Sequence, residues 1–407
     1  MIAAAASGPL SGLAVIEVGR YIAAPFAGRQ LAAMGADVLK VEEPGTGDPM
    51  RGWEGAIDSQ SRPYSPQFAA YNLSKRSIEL DLRTDDGKAG LRDLASTADV
   101  LIENFRPGVM DRLGLGPAAL MAANPRLIYC SITGFGRSGP LASRPSYDTV
   151  ISAISGMYSL LMPIADPAPV GPALSDLLAG LYAVQGILAA LHHRDGGRRD
   201  GGGPATSGEG PVTTGSGQLV EVSMLGAALS FLGEAVTSTA ETGQSPDPDT
   251  RQRRAQAYGA TGADGLAFVV HLSVPDKFWR ALCAAMDSPG WLADPRFATR
   301  QGRYDHYAEL DARIKARALT RPRAEWFAAF AAHDLPHAPL NTLADVAQDP
   351  QVQAMGLIEH IPVPGGEPMA VTAAPVRFSA TPAGPPTAAP LLGQTRPGQK
   401  QPREVSR

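Results

Sequence analysis

Apolar residues fall in short, nearly unbroken runs through the first third of the chain, at positions 13–18, 38–41, 77–82, 100–103 and 127–132. Stretches of helical period lie between several of them. One ends at Met34-Gly35, where glycine suits a helix C-terminus, and another covers 88–98. Strands this continuously apolar are buried on both faces, and their alternation with helices predicts a mostly parallel sheet covered on both sides. Helical patterns follow at 147–161 and 176–192. A strand at 218–222 and a long helix from 224 to about 241 come next.

Two passages break the pattern. Residues 195–217 are rich in Gly, Ser and Thr with almost no apolar content, which predicts a flexible insertion. Residues 243–262 form a second polar, glycine-bearing passage. A mixed α+β segment then opens with a strand at 267–271 and continues with helices near 275–287, 304–318 and 322–333. Beyond 343 the chain turns Pro/Gly-rich, with short strands at 357–363 and 369–378. The tail after Gly393 has little to bury and is expected to be loose.

A chain of 407 residues exceeds one comfortable core, so two domains or one large multilayer domain are expected. A net charge of −4 supplies no basic field, which disfavours nucleic acid and anionic membrane as partners. The two cysteines, Cys130 and Cys283, match no metal or redox spacing and fit small buried residues in a reducing, cytoplasmic setting. The Ala-rich start lacks a basic region before it, and Glu17 and Arg20 interrupt the apolar stretch after it, so no signal peptide is expected. The apolar run 177–191 reads as too short for a bilayer span and as a buried core helix instead.

Several chemistries find no motif. The first strand-to-helix turn, Val18 to Pro25, is not G-x-G-x-x-G. No P-loop, H-E-x-x-H, Cys/His cluster or G-x-S-x-G elbow occurs either. A carboxylate, His or Tyr is left as the candidate catalyst. Asp176 precedes the apolar run and reads as a helix N-cap, its carboxylate held ionised by backbone N–H groups and the helix dipole. The same physics would serve a nucleophile. Lys75-Arg76 lies just ahead of a strand, and loops after strands carry Asn104-Phe105-Arg106 and Arg137 within a Gly-rich turn, a set suited to a phosphorylated or nucleotide-like ligand. Tyr147-Asp148 reads either as a proton-handling pair or as packing and capping at a helix start.

In order, these features resemble the family III coenzyme A transferases, the formyl-CoA transferase and carnitine CoA-transferase group. The series runs through Ala24-Pro25, LAAMGADVLKVE at 31–42, PGTGD at 44–48, NLSKRS at 72–77 and DVLIENFRPG at 99–108. It continues with TGFG at 133–136, RPSYD at 144–148, GPALSDLLAG at 171–180, GSGQ at 215–218 and PLLG at 390–393. The match spans nearly the whole chain, and the insertion near 195–214 is its largest departure.

The resemblance implies that Asp176 is the nucleophile, passing acyl groups through aspartyl anhydrides and an aspartyl-CoA thioester. It implies CoA at Tyr21, Ala23, Lys75, Asn104, Phe105, Arg106 and Arg137, with CoA a substrate, no tightly bound cofactor and no metal. Glu43 stands where some relatives carry an Arg near the nucleotide, with Arg51 as the substitute cation. The implied architecture is an α/β protein: a Rossmann-like, mostly parallel sheet domain plus a smaller α+β domain, in an interlocked homodimer. Residues 1–223 would open the large domain, 224–342 would form a linker helix and small domain, and 343–407 would return to complete the first.

The partners implied are an acyl-CoA and a small carboxylic acid. The passage 253–262, with Tyr258 to Gly262 in it, is a candidate lining for the acyl end of the site. Racemases of 2-methylacyl-CoA share the fold but use a His–Asp pair at the Tyr147-Asp148 position. A Tyr of ordinary pKa about 10 is a poor base at neutral pH, which favours transfer over racemisation. A silent CoA-binding protein is the third alternative, and the intact Asp176 argues against it.

Overall fold

The computed structural model describes residues 8–55, 63–196 and 215–396. The expected flexible insertion and loose tail fall largely outside these residues. The chain divides into two compact units, one of residues 1–158, 169–236 and 354–407, the other of 159–168 and 237–353.

The first unit is built on six parallel strands: β1 (Ala14–Val18), β2 (Asp37–Glu42), β3 (Arg76–Glu79), β4 (Val100–Glu103), β5 (Ile128–Thr133) and β6 (Leu219–Ser223). Their spatial order is β3-β2-β1-β4-β5-β6. All five pairings are parallel. This is the nucleotide-fold order that the continuous apolar runs called for. Helices α1 (Ala23–Ala33), α2 (Pro66–Asn72), α3 (Asp85–Ala95), α4 (Val109–Arg112), α5 (Pro117–Ala123), α6 (Asp148–Ile154), α7 (Leu174–Gly196) and α8 (Met224–Phe231) follow the strands or bridge them. Leu91 and Ala95 of α3 and Leu120 of α5 form one core with Ile16, Leu39 and Leu101 of the sheet. Helices α1 and α7 pack on each other; α1 also lies on β1 and β2, and α7 on β5 and β6.

Helix α7 has 23 residues, eight more than the 177–191 run, because it starts and ends on polar turns. By length and composition alone it could cross a membrane, an 18-residue stretch of it having a mean hydropathy of 1.6. The expectation that this run is too short to span is therefore corrected. Within the unit α7 also packs against α8.

Ionic groups are fully buried against the interior strands β1 and β2. Glu17 of β1 sits opposite Lys40 of β2 in the strand register. Lys40 Nζ pairs with Glu17 Oε1 at 2.9 Å and Asp48 Oδ2 at 3.0 Å, and Lys75 Nζ with Glu17 Oε2 at 2.6 Å. The side chains of Lys40, Glu17, Asp48 and Lys75 have no solvent exposure in these pairs. Burial pushes the Lys75 ammonium down to about 8, against the opposing pull of Glu17. Burial also opposes the Lys40 charge, but Glu17 and Asp48 outweigh it and raise its proton affinity. A Cβ at Gly28 would fall 2.0 Å from Glu17 Oε2, so glycine there lets α1 close over the network.

The late hairpin, β10 (Ile358–Ile361) with β11 (Met369–Thr372), belongs to the first unit and packs against Met50, Tyr64 and Phe68. Its strands are shorter than the patterns at 357–363 and 369–378. The second unit carries an antiparallel sheet of β7 (Ala257–Thr261), β8 (Ala267–His271) and β9 (His337–Pro339). Trp279, Leu282, Ile314, Trp326 and Phe330 pack on it. Strand β7 lies inside the passage that reads as merely polar. The long helix expected from 224 to 241 is interrupted at Leu232, giving α8 and a second helix, Gly233–Thr242.

Candidate active site

The strand order reverses between β1 and β4, so the loops after these strands diverge and leave a crevice at their carboxyl ends. The turn after β1 is clamped from three sides. Lys40 Nζ donates to Gly19 O at 2.7 Å. The Asn104 amide accepts from Arg20 N at 3.0 Å and donates to Arg20 O at 2.9 Å. Tyr21 N–H donates to Asp48 Oδ2 at 3.2 Å. These bonds hold Tyr21 at φ 65°, a left-handed conformation that a bulky residue rarely keeps without such support. The turn delivers the chain into α1, whose cap residue Ile22 offers no side-chain acceptor and whose first turn carries no acid. No side chain caps the N–H groups of Ala23 and Ala24, which are buried beside the turn, and Pro25 after them carries no N–H.

The residues expected to hold a nucleotide-like ligand divide into two groups. Tyr21, Ala23, Asn104 and Phe105 gather at the switch point, on the turns after β1 and β4. Arg106 is exposed, with no ion pair among the described residues. Arg137, after β5, reaches Asp111 at 3.1 Å and Glu221 at 3.2 Å. Lys75 differs from expectation. Its ammonium is bound inside the protein by Glu17, Asn72 Oδ1 and Pro25 O, so no phosphate grip is available from that side chain.

Arg51 likewise is no substitute cation. It is buried, pairs with Glu42 at 2.6 Å, donates to Pro390 O and lies over the Phe68 ring. Glu43 instead pairs with Arg20 at 3.0 Å and Arg83 at 3.1 Å. Sequence reasoning missed Glu103, a carboxyl that burial pushes up to about 7 at the end of β4, where Oε2 accepts Phe105 N–H at 2.7 Å. A charged residue closing an apolar strand was the visible signal.

Asp176 is the third residue of α7, inside the first turn rather than at its cap. The capping acceptor is Asp148, at the start of α6. Its Oδ1 accepts from Ser175 N at 2.8 Å and from Ser175 Oγ at 2.8 Å. Asp176 thus makes no capping bond, and no hydrogen bond or ion pair reaches it among the described residues. Burial, and secondarily the charge of Asp148, pushes its carboxyl up to about 7. The expectation of a carboxylate held firmly ionised by N–H groups is corrected: the group is poised between acid and base at neutral pH.

Tyr147 is 62% exposed, and its ring meets Tyr21 edge-on at 6.1 Å. Tyr21 in turn contacts Trp53 at 6.2 Å, which completes an aromatic rim. Residues 258–261 lie in strand β7 of the second unit, paired with β8.

Comparison with known proteins gives this geometry its setting. Residues 10–396 match the model of the CoA-transferase family III. The chain is 34% identical to the succinate–glutarate CoA-transferase of Agrobacterium fabrum, over 95% of this chain and 93% of that protein. It is 33% identical to the succinyl-CoA–D-citramalate CoA-transferase of Chloroflexus aurantiacus, over 95% and 92% of the two chains. A CAIB/BAIF family protein of known structure from Brucella suis superposes with a TM-score of 0.80 at 33% identity, covering 95% of this chain and 97% of that one. The chain belongs to the CoA-transferase family III.

Proposed function

We propose that this enzyme exchanges CoA between an acyl-CoA donor and a short carboxylic acid through covalent intermediates on Asp176. The observation that carries the reading is a largely buried carboxyl with no partner but the nearby Asp148 charge, one helix away from a polar switch point. An Asp176 oxygen attacks the donor thioester carbonyl, the C–S bond breaks, and CoA thiolate leaves an aspartyl–acyl anhydride. The thiolate attacks the aspartyl carbonyl and expels the donor acid, giving an aspartyl-CoA thioester. The acceptor carboxylate displaces the thiolate through a second anhydride. The thiolate then takes the new acyl group and restores Asp176. One thioester replaces another of similar energy, so the protein supplies positioning and oxyanion stabilisation. The uncapped N–H groups of Ala23 and Ala24 at the start of α1 are the donors suited to the oxyanion.

In the same reading, CoA lies along the switch point at Tyr21, Ala23, Asn104, Phe105, Arg106 and Arg137, with Lys75 supporting from beneath. Of these side chains Arg106 is the exposed cation without an ion pair among the described residues, which suits a phosphate. The site calls for no tightly bound cofactor. Exposed apolar residues on three neighbouring helices, Val150 and Ile154 of α6, Leu181 of α7 and Phe231 of α8, support a homodimer. Two buried free thiols fit a cytoplasmic setting.

The test crosses donors (succinyl-, acetyl- and propionyl-CoA) with short carboxylic acids, using the species purified by gel filtration at a two-chain mass. New thioesters are expected by mass spectrometry. Failure of every pair to exchange would sink the proposal.

A raised carboxyl pKa sets the pH dependence. The nucleophile must be ionised, so kcat/KM should rise through about pH 7 and level off above it. Asp148→Asn keeps an Oδ1 acceptor for Ser175 but removes the charge that helps raise Asp176. Its acid limb should therefore move to lower pH. Asp148→Ala should move the limb the same way and also lose the cap, about 0.5–2 kcal/mol of stability. An unmoved limb in both variants would contradict the electrostatic coupling.

A further inference from the structure

Arg29, on α1, is a half-buried guanidinium with no counterion among the described residues. One of its nitrogens donates to Thr372 O at 2.9 Å and to Thr372 Oγ1 at 2.8 Å. No carboxylate pairs with it among the described residues. Burial lowers its proton affinity, as expected for a cation stripped of water without a partner. Such a group is costly unless an anion joins it.

Its position relates it to the nucleophile. Asp176 and Gly180 are four residues apart and share a face of α7. A Cβ on Gly180 would lie 2.8 Å from Phe26 Cδ1 and 2.9 Å from Ala23 O, so this face rests on α1 around Phe26. Arg29 is three residues beyond Phe26, on the same side of α1. The Tyr71 ring meets Phe26 edge-on at 6.3 Å. Burial raises the Tyr71 hydroxyl; the Asp176 charge adds to that shift and the Arg29 charge opposes it. Tyr71, against the Phe26 ring, thus lies within electrostatic reach of both the nucleophile Asp176 and the cation Arg29.

We propose that Arg29 binds the distal carboxylate of a short dicarboxylic acid whose other carboxyl reacts at Asp176. The inference rests on the transferase reading above and gives its acid a chemical class. A guanidinium holds a carboxylate through two parallel N–H donors, and Arg29 has donors beyond those used by Thr372. The Phe26 and Tyr71 rings lie alongside the intervening methylenes. A phosphate of CoA has the same anionic chemistry, so the test separates it from the acid.

With acetyl-CoA as the common donor, glutarate and valerate are compared as acceptors for the wild type, Arg29→Gln and Arg29→Lys. Wild type should prefer glutarate. In Arg29→Gln the glutarate-to-valerate ratio of kcat/KM should fall by about 10- to 100-fold, the scale of a lost charge-assisted hydrogen bond. The KM for acetyl-CoA should stay the same. Arg29→Lys keeps the charge but not the fork and should show a smaller fall in the same ratio, which decides the matter if the glutamine variant does not fold.

An unchanged ratio in the folded variant overturns the inference. So does a raised KM for acetyl-CoA with both acids falling together, which would place a CoA phosphate on Arg29. Wild-type transfer to valerate as efficient as to glutarate overturns the inference while leaving the transferase standing. No transfer to any acid from any donor overturns both.

Discussion

Asp176→Asn should abolish CoA exchange and at the same time make the folded chain more stable at alkaline pH. The loss of activity follows from chemistry. An amide oxygen cannot open a thioester and return as a leaving carboxylate, and removal of a covalent nucleophile commonly costs roughly three orders of magnitude or more. The gain in stability follows from the carboxyl's surroundings. Burial and Asp148 raise its pKa to about 7 in the folded chain, against an unfolded value near 3.9. Below about pH 4 both states hold the proton and the group costs nothing.

Between about pH 4 and 7 the unfolded state ionises first, so stability falls with rising pH, on the order of 1.4 kcal/mol per unit. Above pH 7 the penalty is complete at a few kcal/mol, and Asn does not carry it. Urea unfolding at pH 8 and pH 4 should therefore show a stabilised variant at the first pH and near equality at the second. Equal stability at both would mean that Asp176 is solvated like an ordinary surface carboxylate.

Lys40→Met should be the most damaging single change to the fold. The lysine sits between two fully buried carboxylates, Glu17 and Asp48, and also anchors Gly19 O. Methionine fills similar volume, but Asp48 then loses its cation and Glu17 keeps only Lys75. Breaking one partner out of a buried ionic group typically costs about 3–5 kcal/mol because the remaining charge is left without compensation. The turn that holds Tyr21 would loosen as well, so activity should fall beyond what the unfolded fraction explains. A midpoint shift in urea equivalent to less than about 1 kcal/mol would show that water reaches this network.

The sheet was legible because its signal is local. Nearly unbroken apolar runs such as 127–132 announce strands buried on both faces, and β5 is buried throughout. What escaped depends on partners distant in sequence. The cap of α7 comes from Asp148, 27 residues before Ser175, so Asp176 looked like the cap that it is not. Lys75 looked like a phosphate ligand because nothing local reveals that Glu17 claims its ammonium. Arg51 was misread in the same way through Glu42. Strand β7 was hidden because its alternation is short, with only Tyr258 and Ala260 buried and the small residues Ala257, Gly259 and Thr261 between and beside them. Asp176 itself drew attention from its place before an apolar helix. Its likeness to a family motif marked it as a nucleophile, and the geometry adds that it is poised rather than fixed as an anion.

The most direct test is the covalent state of Asp176. The enzyme would be incubated with an acyl-CoA donor, quenched in acid, and measured by intact mass and then by peptide mapping. A CoA thioester is expected on the peptide containing Asp176, lost on treatment with hydroxylamine and absent from Asp176→Asn. CoA exchange proceeding with Asp176 unmodified, or an adduct on another residue, would contradict the proposed chemistry.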